Sequence, residues 1–262
     1  MKVAVAQFEP SGDVAANQAV IVDMARQAAE AGAQVVIFPE EAMIPSDAVA
    51  SLPEAAAAYW SGFLGHLRTT AAGLGVALIA GGFEDSGAAL PYNSVAAVDA
   101  DGQVLGVYRK MHLYDAFAYQ ESRYVMRGDD GPCVVRIGDF NVGLVNCYDV
   151  RFPEFTRSLV EMGADVLAVS AAWVRGPLKE DHWRTLVRCR AIENTCWVLA
   201  SSRSGPDCVG QSLVVDPLGV VRGALGEERQ ALMTVEITKE RLDHARATVP
   251  VLRNRRIIVG KV

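Results

Sequence analysis

CVVRIGDFNVGLVNCYDVRFPE, residues 133–154, is the stretch on which the fold turns. Its first part reads as two short apolar strands folded across Gly138-Asp139. The second strand stops at Asn146-Cys147. A polar patch follows, and Phe152-Pro153-Glu154 reads as the start of a helix. A buried strand that turns sharply into a helix is the building unit of an α/β fold. The same turn carries a thiol at the strand tip. A small buried hydrophobe and a nucleophile are both open readings of that thiol.

Working outward, the pattern repeats in kind. Val3 to Phe8 is an apolar run of strand length. Residues 16–31 place Val20, Ile21, Met24, Ala25, Ala28 and Ala29 at helical spacing, with Gly32 as a stop. QVVIF (34–38) is a second buried strand, ended by Pro39. Residues 54–72 are Ala-rich and helical in pattern. VALIAGGF (76–83) and SVAAVDADGQVLGVYRK (94–110) are strand-rich, the latter turning at DADG. In the second half, residues 153–163 suit a helix, DVLAVS (165–170) a strand, and residues 181–195 an amphipathic helix. CWVLAS (196–201), SLVVDPLGVVRG (212–223) and ALMTVEIT (231–238) are strands, and a helix starts near Lys239. Helices alternate with strands, but hairpins intervene, so the sheets are mixed rather than purely parallel. Two such halves, each a sheet with helices on one face, could pack sheet to sheet. No Gly/Ser/Pro-rich linker separates them, which predicts one domain over 1–262.

Bulk composition narrows the function classes. Hydrophobic residues make up 51% of the chain and charged residues 21%, enough apolar material for a sizeable core. A formal net charge of −6 gives no sign of nucleic-acid or anionic-membrane binding. The RNRR cluster at 253–256 reads as a solvated or subunit-contact patch. The five cysteines (Cys133, Cys147, Cys189, Cys196 and Cys208) include no C-x-x-C pair, which disfavours a disulfide framework or a zinc ribbon. The opening apolar run is too short to span a bilayer and lacks a signal-peptide cleavage pattern. A reduced, cytoplasmic protein is the expectation, with Cys133, Cys189 and Cys196 as structural thiols.

Three reactive residues share one context. Glu40 follows the strand QVVIF and Pro39, Lys110 follows QVLGVYR, and Cys147 follows NVGLVN. Side chains just past the carboxyl ends of strands line the sites of α/β folds. A thiol at a strand-to-helix turn is favoured as thiolate by the helix N-terminus and by a nearby cation. Its base could be His112, two residues past Lys110, or Glu40, whose apolar flanks predict desolvation and a raised carboxyl pKa. Glu41 reads as an ordinary surface glutamate. Lys110 could hold the oxyanion of a tetrahedral intermediate. Singly each residue has a bland explanation; together base, cation and thiol make an acyl-transfer set.

In order and spacing, VVIFPEE, YRKMHLYDAF and GLVNCYDVRFPE resemble the three signature segments of the nitrilase (carbon–nitrogen hydrolase) superfamily. AYQESRYVMRGD resembles the segment carrying that family's second glutamate, and the later helix and hairpin match as well. The resemblance covers essentially the whole chain. It implies a four-layer α-β-β-α sandwich with two mixed sheets packed face to face. It implies Glu40 as general base, Lys110 as oxyanion stabiliser, Cys147 as nucleophile and Glu121 as auxiliary glutamate. The backbone N–H of Tyr148 would be a second oxyanion donor. No metal or organic cofactor is implied.

Within the superfamily, Cys147-Tyr148-Asp149-Val150-Arg151 looks like the amidase branches. The expected reaction converts a small aliphatic or omega-amide and water to a carboxylic acid and ammonia through a thioester on Cys147. An N-carbamoyl amide hydrolase, a nitrilase and a catalytically silent binding protein on the same fold are the rival readings. Loops 41–53, 112–130 and 173–180 are expected to set specificity, with Tyr114, Phe117, Trp173 and Arg175 as substrate-binding candidates. An arginine there would favour a substrate carboxylate. The resemblance also implies a homodimer or higher homo-oligomer, with residues 246–262 crossing to the partner subunit.

Overall fold

A computed structural model of the protein describes residues 1–257. Two six-stranded mixed sheets organise it. In the first, β1 (Lys2–Phe8), β2 (Val35–Ile37) and β3 (Ala77–Glu84) run parallel, and β4 (Tyr92–Val98) and β5 (Val104–Arg109) continue it antiparallel. A small hairpin, β6 (Asp115–Ala116) and β7 (Tyr119–Gln120), stands apart. In the second sheet, β8 (Val134–Ile137) pairs antiparallel with β9 (Phe140–Asn146). β9, β10 (Val166–Ala171) and β11 (Trp197–Ser202) are parallel, and β12 (Leu213–Val215) and β13 (Val221–Ala224) close it antiparallel. β14 (Gln230–Glu236) returns to the first sheet and pairs antiparallel with β1, Lys2 opposite Glu236.

Strand periodicity sorts the core into layers. Val3 and Val5 of β1, with Val35, Ile37 and Ile79, share one core cluster with Leu144, Ala168 and Leu199 of the other sheet. Ala4, Ala6 and Phe8, one residue out of phase, pack against Ile21, Met24, Phe63 and Leu67 of α1 (Val14–Glu30) and α2 (Leu52–Leu74). Successive strand side chains face opposite ways, so each strand buried on both faces reads as a continuous apolar run. Helices α3 (Pro153–Glu161) and α4 (Lys179–Asn194) cover the second sheet, which completes the α-β-β-α order. Helices α5 (Lys239–Thr248) and α6 (Val251–Asn254) follow β14.

The helix ends follow local chemistry. Asp13 caps α1 by accepting from the N–H groups of Ala15 and Ala16, Ser51 caps α2, and Thr238 caps α5. Gly75 ends α2 in the left-handed region at φ 64°, where a Cβ would be strained. Polar bonds also stitch the sheets face to face. Ser170 Oγ donates to the Phe38 carbonyl at 2.8 Å and Ser201 Oγ to the Ala6 carbonyl at 2.5 Å.

Several expectations need correcting. Cys189 is exposed, not a buried thiol. In α4 Val187 and Ala191 are buried as the amphipathic pattern predicts, while Ile192 is exposed and Arg190 buried; Arg190 Nε donates to the Val150 carbonyl at 2.7 Å. The β6–β7 hairpin and α6 had no periodic signal, being two and four residues long. No helix among the described residues is long and apolar enough to cross a membrane. Of the C-terminal segment, Arg246 is tied within the chain to Asp165, Thr195 and Ala164. Residues 258–262 lie outside the described residues.

Candidate active site

Both sheets deliver strand ends to one place. Glu40 sits on the turn after β2. That turn runs along β3, with Phe38 N–H donating to the Ile79 carbonyl and Met43 N–H to the Gly81 carbonyl. A Cβ on Gly81 would lie 1.9 Å from the Glu40 carbonyl oxygen, so only glycine lets the turn that carries Glu40 approach β3 this closely. Lys110 leaves β5 with its N–H on the Asn93 carbonyl at 2.8 Å. Glu121 opens a short 3₁₀ turn after β7. Cys147 leaves β9 and opens a second 3₁₀ turn over Cys147–Arg151.

Cys147 has φ 46°, in the left-handed region where a residue with a Cβ is strained. Asp149, fully buried, fastens this turn. It accepts from Asn146 N–H at 3.1 Å and from the Tyr108 hydroxyl at 2.8 Å, and it meets His112 Nδ1 at 2.7 Å. The His112 ring stacks on Phe152 with centroids 3.8 Å apart. His112 is therefore engaged with Asp149, and the carboxylate whose charge bears on the Cys147 thiol is Glu40.

The polar centre is dense and buried. Lys110 Nζ lies 2.7 Å from Glu40 Oε1 and 3.0 Å from Glu121 Oε2. The Asn93 amide donates to both carboxylates, at 2.8 and 2.9 Å. Ala172 N–H, just past β10, donates to Glu40 Oε2 at 2.7 Å. Tyr114 N–H donates to Glu121 Oε2 at 2.6 Å. The resemblance-derived set of Glu40, Lys110, Glu121 and Cys147 thus comes together in space, all four under one-tenth exposed.

Charges at this depth govern one another. Burial pushes the Glu40 carboxyl up, but Lys110 beside it and the hydrogen bonds it receives outweigh burial and leave it below the usual carboxylate range. This reverses the expectation from the apolar flanks alone. Burial pushes the Cys147 thiol well up, and the neighbouring Glu40 charge adds to it. Burial would deprotonate Lys110, yet Glu121 and Glu40 hold it well above its ordinary value. These directions favour a thiol, a carboxylate and an ammonium side by side.

These groups line a cavity of about 530 Å3. Its walls include Tyr114, Phe117, Trp173 and Arg175, drawn from the loops expected to shape it, and Tyr148 from the turn after β9. Phe117 is 63% exposed at the tip of the β6–β7 hairpin, while Trp173 is buried. Arg175 has carboxylates on two sides, Glu180 at 3.6 Å and Glu227 at 3.4 Å. Glu41 is buried rather than on the surface and pairs with Arg203 at 2.5 Å. Burial nevertheless holds its carboxyl above the usual range. Asn93, Arg203 and Lys179 went unrecognised in the sequence. For Asn93 a signal existed: an amide inside the apolar strand YNSVAAV is a buried polar group that needs partners. Among the described residues no cluster of three or more His, Cys, Asp or Glu side chains could hold a metal ion.

The sandwich and its thiol–carboxylate–lysine centre define a hydrolase class, and comparison with known proteins agrees. The carbon–nitrogen hydrolase family profile matches residues 2–247, and the chain belongs to this family, in the nitrilase superfamily whose named relatives here are amidases. It is 38% identical over 257 residues to a deaminated glutathione amidase of Escherichia coli O157:H7, covering 98% of this chain and 97% of that protein. It is 35% identical over 224 residues to the 2-oxoglutaramate amidase of Bacillus subtilis, covering 84% and 83%. A mutant amidase from Nesterenkonia sp. AN1, with an acetamide moiety covalently added at its active-site cysteine, superposes with a TM-score of 0.83 at 26% identity, covering 98% of this chain and 94% of that one.

Proposed function

We propose that this protein hydrolyses a small aliphatic or omega-amide to its carboxylic acid and ammonia through a thioester on Cys147. The observation that carries the reading is that Glu40, in ion-pair contact with Lys110 at 2.7 Å, lines one buried cavity with Cys147 and acts on its thiol by charge. The cysteine adduct in the Nesterenkonia amidase and the amidase names of the relatives support it.

Glu40 takes the thiol proton as sulfur attacks the amide carbon. The carbonyl electron pair moves onto oxygen. Lys110 Nζ and the Tyr148 N–H, an early amide of a helical turn with no intrahelical acceptor, receive that oxyanion. Glu40, now protonated, passes its proton to the amide nitrogen as the C–N bond breaks and ammonia departs. Water then gives a proton to Glu40 and attacks the thioester carbon. The C–S bond breaks, the acid leaves, and the thiolate recovers the proton. One carboxylate is base, acid and base in turn. Glu121, the second carboxylate on Lys110, keeps the ammonium fixed and charged. Tyr114, Phe117, Trp173 and Arg175 form the walls against which the substrate rests.

Ammonia release from a panel of amides, nitriles and N-carbamoyl compounds tests this reading. Amides are expected to turn over, with an acyl adduct on Cys147 visible by mass spectrometry after a substrate pulse. Carbon dioxide released with ammonia would point to the carbamoyl reaction, and turnover of nitriles alone to a nitrilase. An adduct on Cys189 would sink the mechanism. The same reading carries a homodimer. Exposed Met162, Ile192 and Val220 on the helix side of the second sheet support an interface, and light scattering measures it.

A further inference from the structure

Lys179 stands out among the charged groups of the cavity. It is the first residue of α4 and only 3% exposed, yet no carboxylate lies within ion-pair distance of it among the described residues. The other cations facing the cavity are already neutralised: Lys110 by Glu40 and Glu121, Arg203 by Glu41, Arg175 by Glu180 and Glu227. Lys179 Nζ instead rests in an aromatic cage, 4.8 Å from the Tyr114 ring centroid, 4.6 Å from Phe117 and 5.1 Å from Trp173. One donor goes to the Tyr114 hydroxyl at 2.9 Å.

An ammonium has three donors, and the rings offer faces rather than acceptors for the other two. The cage is built rather than incidental. The Lys179 carbonyl accepts from Trp173 Nε1 at 2.9 Å, and its N–H donates to the Gly176 carbonyl at 3.1 Å. A second cation sits beside it. The Arg151 guanidinium lies 4.8 Å from the same Trp173 ring, and its buried Nε has no acceptor. Burial and this neighbour together hold the lysine below its ordinary pKa. Two adjacent cations without a counterion, Lys179 buried and Arg151 half-buried, are costly unless an anion arrives.

We propose that Lys179, with Arg151 behind it, anchors a carboxylate on the substrate, so that the preferred substrates are omega-monoamides of short dicarboxylic acids. Their amide end lies at Cys147 and their anionic end in the aromatic cage. The inference rests on the amidase reading above and narrows it. It shifts anion recognition from Arg175, whose charge is spent on Glu180 and Glu227, to a residue with no such partner. It also disfavours amides with cationic tails.

The test separates binding from turnover. The Cys147→Ala variant, unable to form the thioester, is titrated calorimetrically with succinamate, glutaramate and adipamate, and with butanamide, pentanamide and hexanamide as their neutral counterparts. At least one anionic amide is expected to bind ten-fold or more tightly than its counterpart. Adding Lys179→Met should erase that difference, and adding Lys179→Arg should keep most of it. In the enzyme with Cys147 intact, the kcat/KM ratio of anionic to neutral amide should fall ten-fold or more with Lys179→Met. It should hold with Arg26→Gln on the exposed face of α1. Equal binding of anionic and neutral amides overturns the proposal, and so does a preference that survives Lys179→Met in protein of native circular dichroism. If no amide releases ammonia, the amidase reading fails, while the binding difference still decides the anchor.

Discussion

The two sheets are built on one plan and loaded with different chemistry. Read from β14 to β5 and from β8 to β13, each has an antiparallel outer strand, three parallel strands and an antiparallel pair. Corresponding strand ends carry unlike residues. β1 ends at Phe8-Glu9, where Glu9 pairs with exposed Arg229; its counterpart β9 ends at Cys147. β2 runs into Glu40; its counterpart β10 runs into Ala172, whose contribution is a backbone N–H to Glu40. β5 runs into Lys110, whereas β13 ends in an exposed edge. In the proposed mechanism one half therefore supplies base and cation, the other nucleophile and amide donor, and neither half alone holds the set. A repeated backbone provides the positions, and the division of residues makes the site depend on face-to-face packing.

That division can be attacked from either side. The largest effect should come from the second half's thiol: Cys147→Ala should cut kcat by about 10⁴-fold or more with the far-UV spectrum unchanged. From the first half, Glu40→Gln should cost on the order of 10³-fold and slow alkylation of Cys147 by iodoacetamide, because the proton then has no acceptor. Thiol reactivity equal to the parent's would show that the two halves are not coupled through this pair.

Arg203→Met attacks the cross-sheet tie instead of the chemistry. It leaves the buried Glu41 carboxylate without its cation, at a cost of roughly 3–5 kcal/mol near neutral pH. Denaturant melts would measure it. The loss should shrink as pH falls, because burial already holds the Glu41 carboxyl high and protonation removes the stranded charge.

The smallest expected effect is a pH shift. Glu40 must be ionised in the free enzyme, and its folded-state pKa is depressed. The acid limb of kcat/KM should therefore lie below the ordinary glutamate value of about 4.3. By the same linkage, the Glu40 carboxylate stabilises the fold above that ordinary value, and the contribution is lost as pH falls through the depressed one. Asn93→Ala removes one donor to the Glu40 carboxylate and should move the limb upward, since a hydrogen bond to the charged form favours it. A pH profile showing a downward shift would break the argument.

Much of this was legible in the chain. Buried strands announce themselves as apolar runs, and the three strand-end residues stand where α/β folds place their chemistry. What remained hidden depended on partners far away in sequence. Glu41 looks like a surface acid until Arg203 is brought to it from the end of β11. Glu40 looks like a carboxyl with a raised pKa until Lys110 arrives beside it. Lys179 looks like one more helix-start lysine until three rings close around it. Local pattern reports which side chains are buried, but not which charge each one meets.

The pairing of β1 with β14 has a consequence for how the molecule is made. Of the described strands β1 is translated before the others and its outer neighbour β14 after them; Met1 N donates to the Ile237 carbonyl at 2.8 Å. Until then the nascent first sheet has an unpaired edge beside a continuous apolar strand, a template for unwanted pairing. Closure across so long a loop makes completion slow relative to the hairpins that form locally. Translation order thus leaves the base and lysine waiting on an unfinished sheet, and a ring closure in the chain's own history precedes any chemistry.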